Sequence, residues 1–353
     1  FEDISEEEYL TVSEQSKLGL MTLKEALEAL HTPALMETIE QARRRLAFDE
    51  LFFLQLVQAQ VRYKESVQTP GIVFKRTNKL IRPMHESLPF SLTEAQTQSL
   101  RDIYAYMESS RRMKCMLQGD VGSGKTIIAV FSMLLAVEGG FQAVLMAPTE
   151  LLAEQHAERL AKLVKPLGLQ VYLLTGRLKA AKRKEILAAL KDGDARLIVG
   201  THALIQEGVE FSDLGLVVVD EQQRFGVRQR MALGEREVQP DTLIMSATPI
   251  PRSLAMAMYG DLDLLILGEL PPGRKPVDTL LRYPSERDDI YRFLESELKE
   301  GRQIYIVYPL VEDSDKVDLK SATEEYERLS NEVFPDRRVA LIHGQLPSDD
   351  KDM

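Results

Sequence analysis

The chain has one cysteine, Cys115, among its 353 residues, so no internal disulfide can form. Lying in an apolar run, that thiol reads as a small buried residue, and a reducing compartment, the cytoplasm, fits. Positive charge is also scarce: 44 Lys and Arg stand against 55 Asp and Glu, for a formal net charge of −11. That excludes a protein wrapped in nucleic acid over its whole surface, since such domains are strongly basic. Basic clusters do occur at Arg111, Arg112 and Lys114, at Lys179, Lys182, Arg183 and Lys184, and at Arg224, Arg228 and Arg230. Each is either a contact along one narrow nucleic-acid face or a solvated helix or loop surface. No apolar run is long enough to cross a bilayer, and the longest, Ile127–Val137, is interrupted by Ser132. The acidic N-terminal stretch does not read as a secretory leader. Because the chain opens on Phe1, further sequence upstream is expected. No short-period repeat or low-complexity tract is visible.

What is present is an ordinary globular balance, 44% hydrophobic and 28% charged, in a length suited to roughly two domains. Residues 1–86 read as mainly helical: Thr22 is a candidate N-cap, and a long helical pattern runs from about Ile39 to Arg62. Its stripe of Phe48, Leu51, Phe52, Leu54, Leu56 and Val57 reads as packing. From residue 113 short apolar runs recur at Met113–Gln118, Gln142–Ala147, Gln170–Thr175, Arg196–Gly200, Gly215–Val219 and Thr242–Ser246. Helical stretches separate several of them, which predicts a parallel sheet covered on both faces, with ligands at the C-terminal ends of its strands. The stiff run Leu270–Pro276 reads as a connector. Beyond it a second α/β pattern is expected: strands near Thr279–Arg282, Gln303–Tyr308 and Arg338–His343, and helices over Ser285–Glu300 and Ala322–Asn331. It stops at Met353, before a sheet of ordinary size could close. The expected divisions are 1–86, 87–270 and 271–353.

Gly119-Asp120-Val121-Gly122-Ser123-Gly124-Lys125-Thr126 has the spacing of a phosphate-binding loop, with an apolar run before it and a helix-forming run after it. Glycines let the backbone turn several N–H groups toward one point, and the following helix adds its positive end. Lys125 would neutralise the β- and γ-phosphates, and the Thr126 hydroxyl would ligate Mg²⁺. A loop of this kind serves motors and small-molecule kinases alike. The run Leu216–Val219 followed by Asp220 and Glu221 separates them: Asp220 would hold Mg²⁺ and Glu221 would orient and deprotonate an attacking water, which favours hydrolysis over transfer.

Two further segments carry weaker signals. Met245-Ser246-Ala247-Thr248 ends the next strand, with hydroxyls placed to bond Gln223, or is an ordinary strand-to-loop turn. Phe90–Gln96 precedes the phosphate loop by about one helix; the Gln96 amide suits an adenine edge, or serves as a helix cap.

In order and spacing these segments resemble a superfamily 2 helicase. Ala147-Pro148-Thr149-Glu150-Leu151-Leu152, Leu174-Thr175-Gly176 and Gly200-Thr201-His202-Ala203-Leu204 resemble its strand-grip motifs, and Phe90 and Gln96 fall on its adenine-binding segment. Longer strings, among them Gly200–Gln206, Arg224-Phe225-Gly226-Val227, Ser246–Arg252 and Glu269–Pro276, resemble the RecG family. The resemblance implies a RecA-like ATP-binding domain after an N-terminal helical segment, followed by a partial second RecA-like domain. It implies an ATP-hydrolysing, Mg²⁺-dependent helicase or translocase that works on branched double-stranded DNA at stalled forks and Holliday junctions in recombination and repair, away from membranes, as a cytoplasmic monomer. Phe90, Gln96, Gly119, Gly122, Ser123, Gly124, Lys125 and Thr126 would bind nucleotide; Thr126 and Asp220 metal; Lys125, Glu221 and Gln223 would serve catalysis; Ser246 and Thr248 coupling; and Pro148, Thr149, Gly176 and Thr201 DNA phosphates. Gln223 stands where the family has His, and nothing matches the family's arginine-finger motifs, which would lie beyond Met353. Its junction-splitting wedge domain is also absent, as though the chain starts just after it. The Mfd translocases share most of these strings but are less similar to this chain in the connector. A nucleotide-gated DNA-binding module with impaired catalysis is the third alternative.

Overall fold

The computed structural model describes residues 8–32, 36–68, 71–206, 208–220, 239–248, 262–269, 277–308 and 323–343. The chain forms two compact units, Phe1–Arg274 and Lys275–Met353.

The first unit opens on helices α1 (Val12–Leu18), α2 (Leu23–His31) and α3 (Met36–Gln68). Thr11 and Thr22 cap α1 and α2, each in a reciprocal box with the Glu three residues on. The predicted cap at Thr22 is therefore present, and the predicted long helix runs a little further at both ends. Its apolar stripe is only half packed. Phe48 and Phe52 are half-buried and stack with each other, and Tyr9 stacks on Phe52. Leu51, Leu54, Leu56 and Val57 are exposed. The packing expected of those four is absent among the described residues. Arg45, with no exposed surface, ties α3 to Glu8 and the Met21 carbonyl and pairs with Asp49 one turn along the same helix.

Helices α4 (Ile81–Ser87) and α5 (Glu94–Met107) lead into seven strands: β1 (Lys114–Gly119), β2 (Gln142–Met146), β3 (Val171–Leu174), β4 (Leu197–Gly200), β5 (Leu214–Asp220), β6 (Asp241–Ser246) and β7 (Asp263–Leu267). Their order is β3-β4-β2-β5-β6-β1-β7, and every adjacent pair is parallel. All six predicted strands form. The seventh, β7, was not anticipated; it holds the edge beside β1, and Ile266 in it is half exposed. Helices α6 (Lys125–Glu138), α7 (Glu150–Val164) and α8 (Ala180–Asp192) cover the sheet. Strand alternation sorts the core into two layers. Cys115 and Leu117 join α5, α6 and α7, whereas Met116, Val144 and Val217 join α8. Burial on both faces is why these strands read as unbroken apolar runs. It also pushes the Cys115 thiol pKa far above its usual range. No helix among the described residues is long and apolar enough to cross a membrane.

The second unit holds a 3₁₀ turn at Pro284–Glu286, α9 (Arg287–Lys299) and a helical segment over 323–328 that ends in a π turn at Leu329–Val333. Both predicted helices are present. The three predicted strands are not: 279–282, 303–308 and 338–343 carry no strand. Strands are held by ladder partners, and this unit's described residues supply none; Val277, Leu281, Tyr305 and Val307 stand more than 80% exposed.

Candidate functional site

The phosphate loop turns directly off the end of β1. Gly122 and Gly124 take φ of 80° and 91°, a region that favours glycine. At Gly124, the N-cap of α6, the backbone conformation favours glycine, and a Cβ would lie 2.3 Å from the Gln96 amide nitrogen, so that a side chain there would displace the Gln96 amide. The Lys125 ammonium folds across the loop onto the carbonyl oxygens of Gly119 (2.7 Å) and Asp120 (2.9 Å). Ser123 is buried and Thr126, in the first turn of α6, is half-buried.

Gln96 occupies the third helical position of α5, in a capping box with Thr93: its Oε1 accepts from the Thr93 N–H at 2.9 Å. Its Nε2 donates to the Ser123 carbonyl at 2.8 Å. Of the two readings of this residue, the geometry displays the cap, extended by a clamp on the phosphate loop. Phe90 stands half exposed on a cavity of about 470 Å³, lined also by His85, Pro89, Leu92 and Thr97.

Asp220 closes β5. In the sheet register it lies opposite Met245 of β6, whose next residue, Ser246, lies opposite Gln118 of β1. One strand therefore separates Asp220 from the strand that feeds the loop, about 10 Å at two inter-strand spacings. Ser246 and Thr248 share a hydrogen bond between their hydroxyls at 2.9 Å, and the Gln118 amide donates to the Thr248 carbonyl at 3.3 Å. Glu221 and Gln223, with the strings Arg224–Val227 and Pro249–Arg252, lie outside the described residues.

The residues expected to grip DNA occupy the rest of the same edge. Pro148 and Thr149 follow β2, Gly176 follows β3 and Thr201 follows β4. Thr149 caps α7 by accepting from the Leu152 N–H; Thr201 caps the 3₁₀ turn His202–Ile205. The three loops are stitched together. The Ala147 N–H donates to the Gly200 carbonyl at 2.8 Å, the Thr201 N–H to Leu174 at 3.3 Å, and Glu150 pairs with Arg177 at 2.6 Å. The strand order thus splits the edge, with the loops expected to grip DNA over β3-β4-β2 and those expected to bind nucleotide over β5-β6-β1.

One contact went unread in the sequence. The His156 ring is buried in α7, and its Nε2 lies 2.8 Å from an Asp220 carboxylate oxygen. The only available signal was its position seven residues after Thr149, two turns along the same helix. Among the described residues no three His, Cys, Asp or Glu side chains gather as a metal cage. A Thr hydroxyl and one carboxylate at a phosphate loop instead suit Mg²⁺, which keeps waters and takes most of its other ligands from substrate phosphates.

A seven-stranded parallel sheet with a phosphate loop at one strand end, an acid closing a second and paired hydroxyls closing a third defines a helicase-type nucleotide-binding domain. In agreement, residues 93–257 match the DEAD/DEAH box helicase family. Mss116p bound to single-stranded RNA and AMP-PNP, 16% identical, shares the fold with a TM-score of 0.57, covering 78% of this chain and 60% of that one. A structure of RecG bound to a three-way DNA junction aligns at 42% identity and a TM-score of 0.80, covering 98% of this chain and 45% of that chain. The ATP-dependent DNA helicase RecG of Synechocystis is 46% identical over 338 residues, covering 96% of this chain and 41% of that protein. For RecG of Streptococcus pneumoniae the identity is 44% over 350 residues, covering 99% and 52%. Nearly the whole chain is thus similar to RecG proteins, and it spans about half the length of these curated relatives.

Proposed function

We propose that this chain is the ATP-binding motor portion of a helicase that acts on branched double-stranded DNA in recombination and repair. The observation that carries the reading is the division of one sheet edge into a nucleotide half and a grip half. The similar RecG structure is described as bound to a three-way DNA junction, which supports the choice of branched DNA. Thr149 and Gly176 stand exposed on this edge, where a hydroxyl and backbone N–H groups can hold phosphates without reading bases, as translocation over any sequence requires; Thr201 is buried and supports its loop instead.

In this reading Lys125 leaves the Gly119 and Asp120 carbonyls to meet the β- and γ-phosphates, while loop N–H groups and the N-terminus of α6 hold them. Phe90 packs against the base beside its cavity. Thr126 and Asp220 would hold Mg²⁺, which supplies charge neutralisation at the phosphates. Glu221, the residue after Asp220, orients and deprotonates the attacking water. Gln223 offers an amide to the Ser246 and Thr248 hydroxyls; unlike an imidazole it cannot take up a proton.

The test is ATP-dependent unwinding of a labelled three-way junction by the protein that carries this chain, with Lys125→Ala as the control. Loss of unwinding and of DNA-stimulated hydrolysis in the variant is expected. Hydrolysis that persists in Lys125→Ala overturns the site assignment.

A further inference from the structure

The buried face of α7 is Ala153, His156, Leu160 and Val164, one polar ring in a seam of apolar side chains. Ala153, Leu160 and Val164 belong to the core. What His156 adds is specific. Its Nε2 meets Asp220 at 2.8 Å, with both side chains at least 85% buried. Its Nδ1 is buried without a hydrogen-bond partner. An ionised carboxylate only accepts, so the neutral ring that satisfies this geometry carries its hydrogen on Nε2 and donates it to Asp220. A carboxylate at a metal site is ordinarily oriented by a hydrogen-bond partner of this kind, which leaves its other lone pairs directed at the ion.

The same helix begins in the grip. Its N-cap is Thr149, and its first residue, Glu150, is tied to Arg177 beside Gly176. From Thr149 to His156 the helix rises about 10 Å at 1.5 Å per residue. One rigid element therefore holds a proposed DNA contact at its cap and the acidic end of β5 two turns later.

We infer that His156 is a positioning residue for the Asp220 carboxylate, and that α7 transmits occupancy of the Thr149–Gly176 grip to the magnesium–nucleotide site through it. The inference rests on the nucleotide and DNA roles proposed above. A shift of α7 when phosphates seat at its cap moves the ring, and with it the carboxylate. DNA binding would then tighten the site for the metal-bearing nucleotide while leaving metal-free nucleotide binding alone.

The experiment uses the protein that carries this chain, with His156→Ala and His156→Gln; the Gln amide replaces the Nε2 donor. Fluorescent ADP is titrated without metal, then at fixed concentration against Mg²⁺, each with and without duplex DNA. His156→Ala is expected to raise the Mg²⁺ concentration for half-maximal effect about 10-fold or more, the usual cost of losing such a partner. It is also expected to abolish the DNA-induced change in that concentration, with metal-free ADP binding unchanged. His156→Gln is expected to recover both. In the metal-free wild type, ¹⁵N NMR should show the hydrogen on Nε2. An unaltered Mg²⁺ requirement in His156→Ala, with nucleotide still bound, overturns the inference and leaves the motor reading standing. If both variants lose metal-free ADP binding and thermal stability together, the role is packing alone and the inference also fails. Failure of the motor reading shows separately, as nucleotide binding indifferent to Lys125→Ala.

Discussion

The Gln96 amide joins two elements that are distant in sequence: its nitrogen donates to the Ser123 carbonyl at 2.8 Å while its oxygen accepts from the Thr93 N–H at 2.9 Å. The head of α5 and the phosphate loop are thereby held by one planar group. Losing a buried hydrogen bond of this kind costs about 1–3 kcal/mol. Gln96→Ala is expected to weaken ATP binding about 10-fold, read by titration of a fluorescent nucleotide. Gln96→Glu should do no better, because an ionised carboxylate has no hydrogen for the Ser123 carbonyl.

At the opposite edge of the sheet, Asp241 starts β6 with no exposed surface and accepts from the Met113 N–H at 2.9 Å. Burial raises its pKa to about 7, outweighing that N–H and the nearby charge of Arg112. The folded state therefore binds this proton more tightly than the unfolded chain, whose carboxyl titrates near 4. Between about pH 4 and 7 the unfolded state holds fewer protons, so this group's contribution to stability falls as pH rises and is lost above about 7. Asp241→Asn should flatten that slope, seen as a smaller difference in Tm between pH 5.5 and 8. An unchanged pH dependence would remove Asp241 as its source.

Arg45 is the one large charged side chain with no exposed surface among the described residues, and its guanidinium meets Glu8, Asp49 and the Met21 carbonyl. Removing one member of such a network strands the others; breaking a buried pair costs about 3–5 kcal/mol. The lower end applies here, because Glu8 and Asp49 keep some contact with water. Arg45→Ala should loosen the N-terminal helices, read as faster amide exchange in α2 and the first half of α3. Arg45→Lys should rescue little, since one ammonium cannot reproduce the planar fork.

Thr149 has two roles that can be separated. Its hydroxyl accepts from the Leu152 N–H to cap α7, and it stands in the proposed grip. Thr149→Val is expected to cost about 1 kcal/mol of stability through the lost cap. It should also weaken DNA binding equally for duplexes of different sequence, as a phosphate contact requires. Thr149→Ser keeps the hydroxyl and should restore both; binding that changes with sequence would contradict the phosphate role.

Much of this was legible along the chain because the responsible forces are local. The phosphate loop is eight consecutive residues whose glycines and lysine must be neighbours to work. Six strands announced themselves as apolar runs because a strand buried on both faces has no polar side to show. The capping box at Thr22 lies within four residues.

Other features depended on partners far away in the chain. Strand β7 exists because β1 offers it an edge, whereas equally apolar stretches around Tyr305 and Val307 find no ladder among the described residues and stand exposed without strand structure. The Gln96 cap is local, shared with Thr93, but its second bond, to the Ser123 carbonyl 27 residues away, could not be read along the chain. Nothing local links His156 to Asp220, which β5 brings to it from 64 positions on. By itself the amino-acid sequence determined that a triphosphate loop and an acidic strand end exist, since backbone turns and burial patterns are set by neighbours. Only the tertiary structure decided what those groups touch, because a hydrogen bond between distant residues depends on sheet order and register, and no local pattern encodes either.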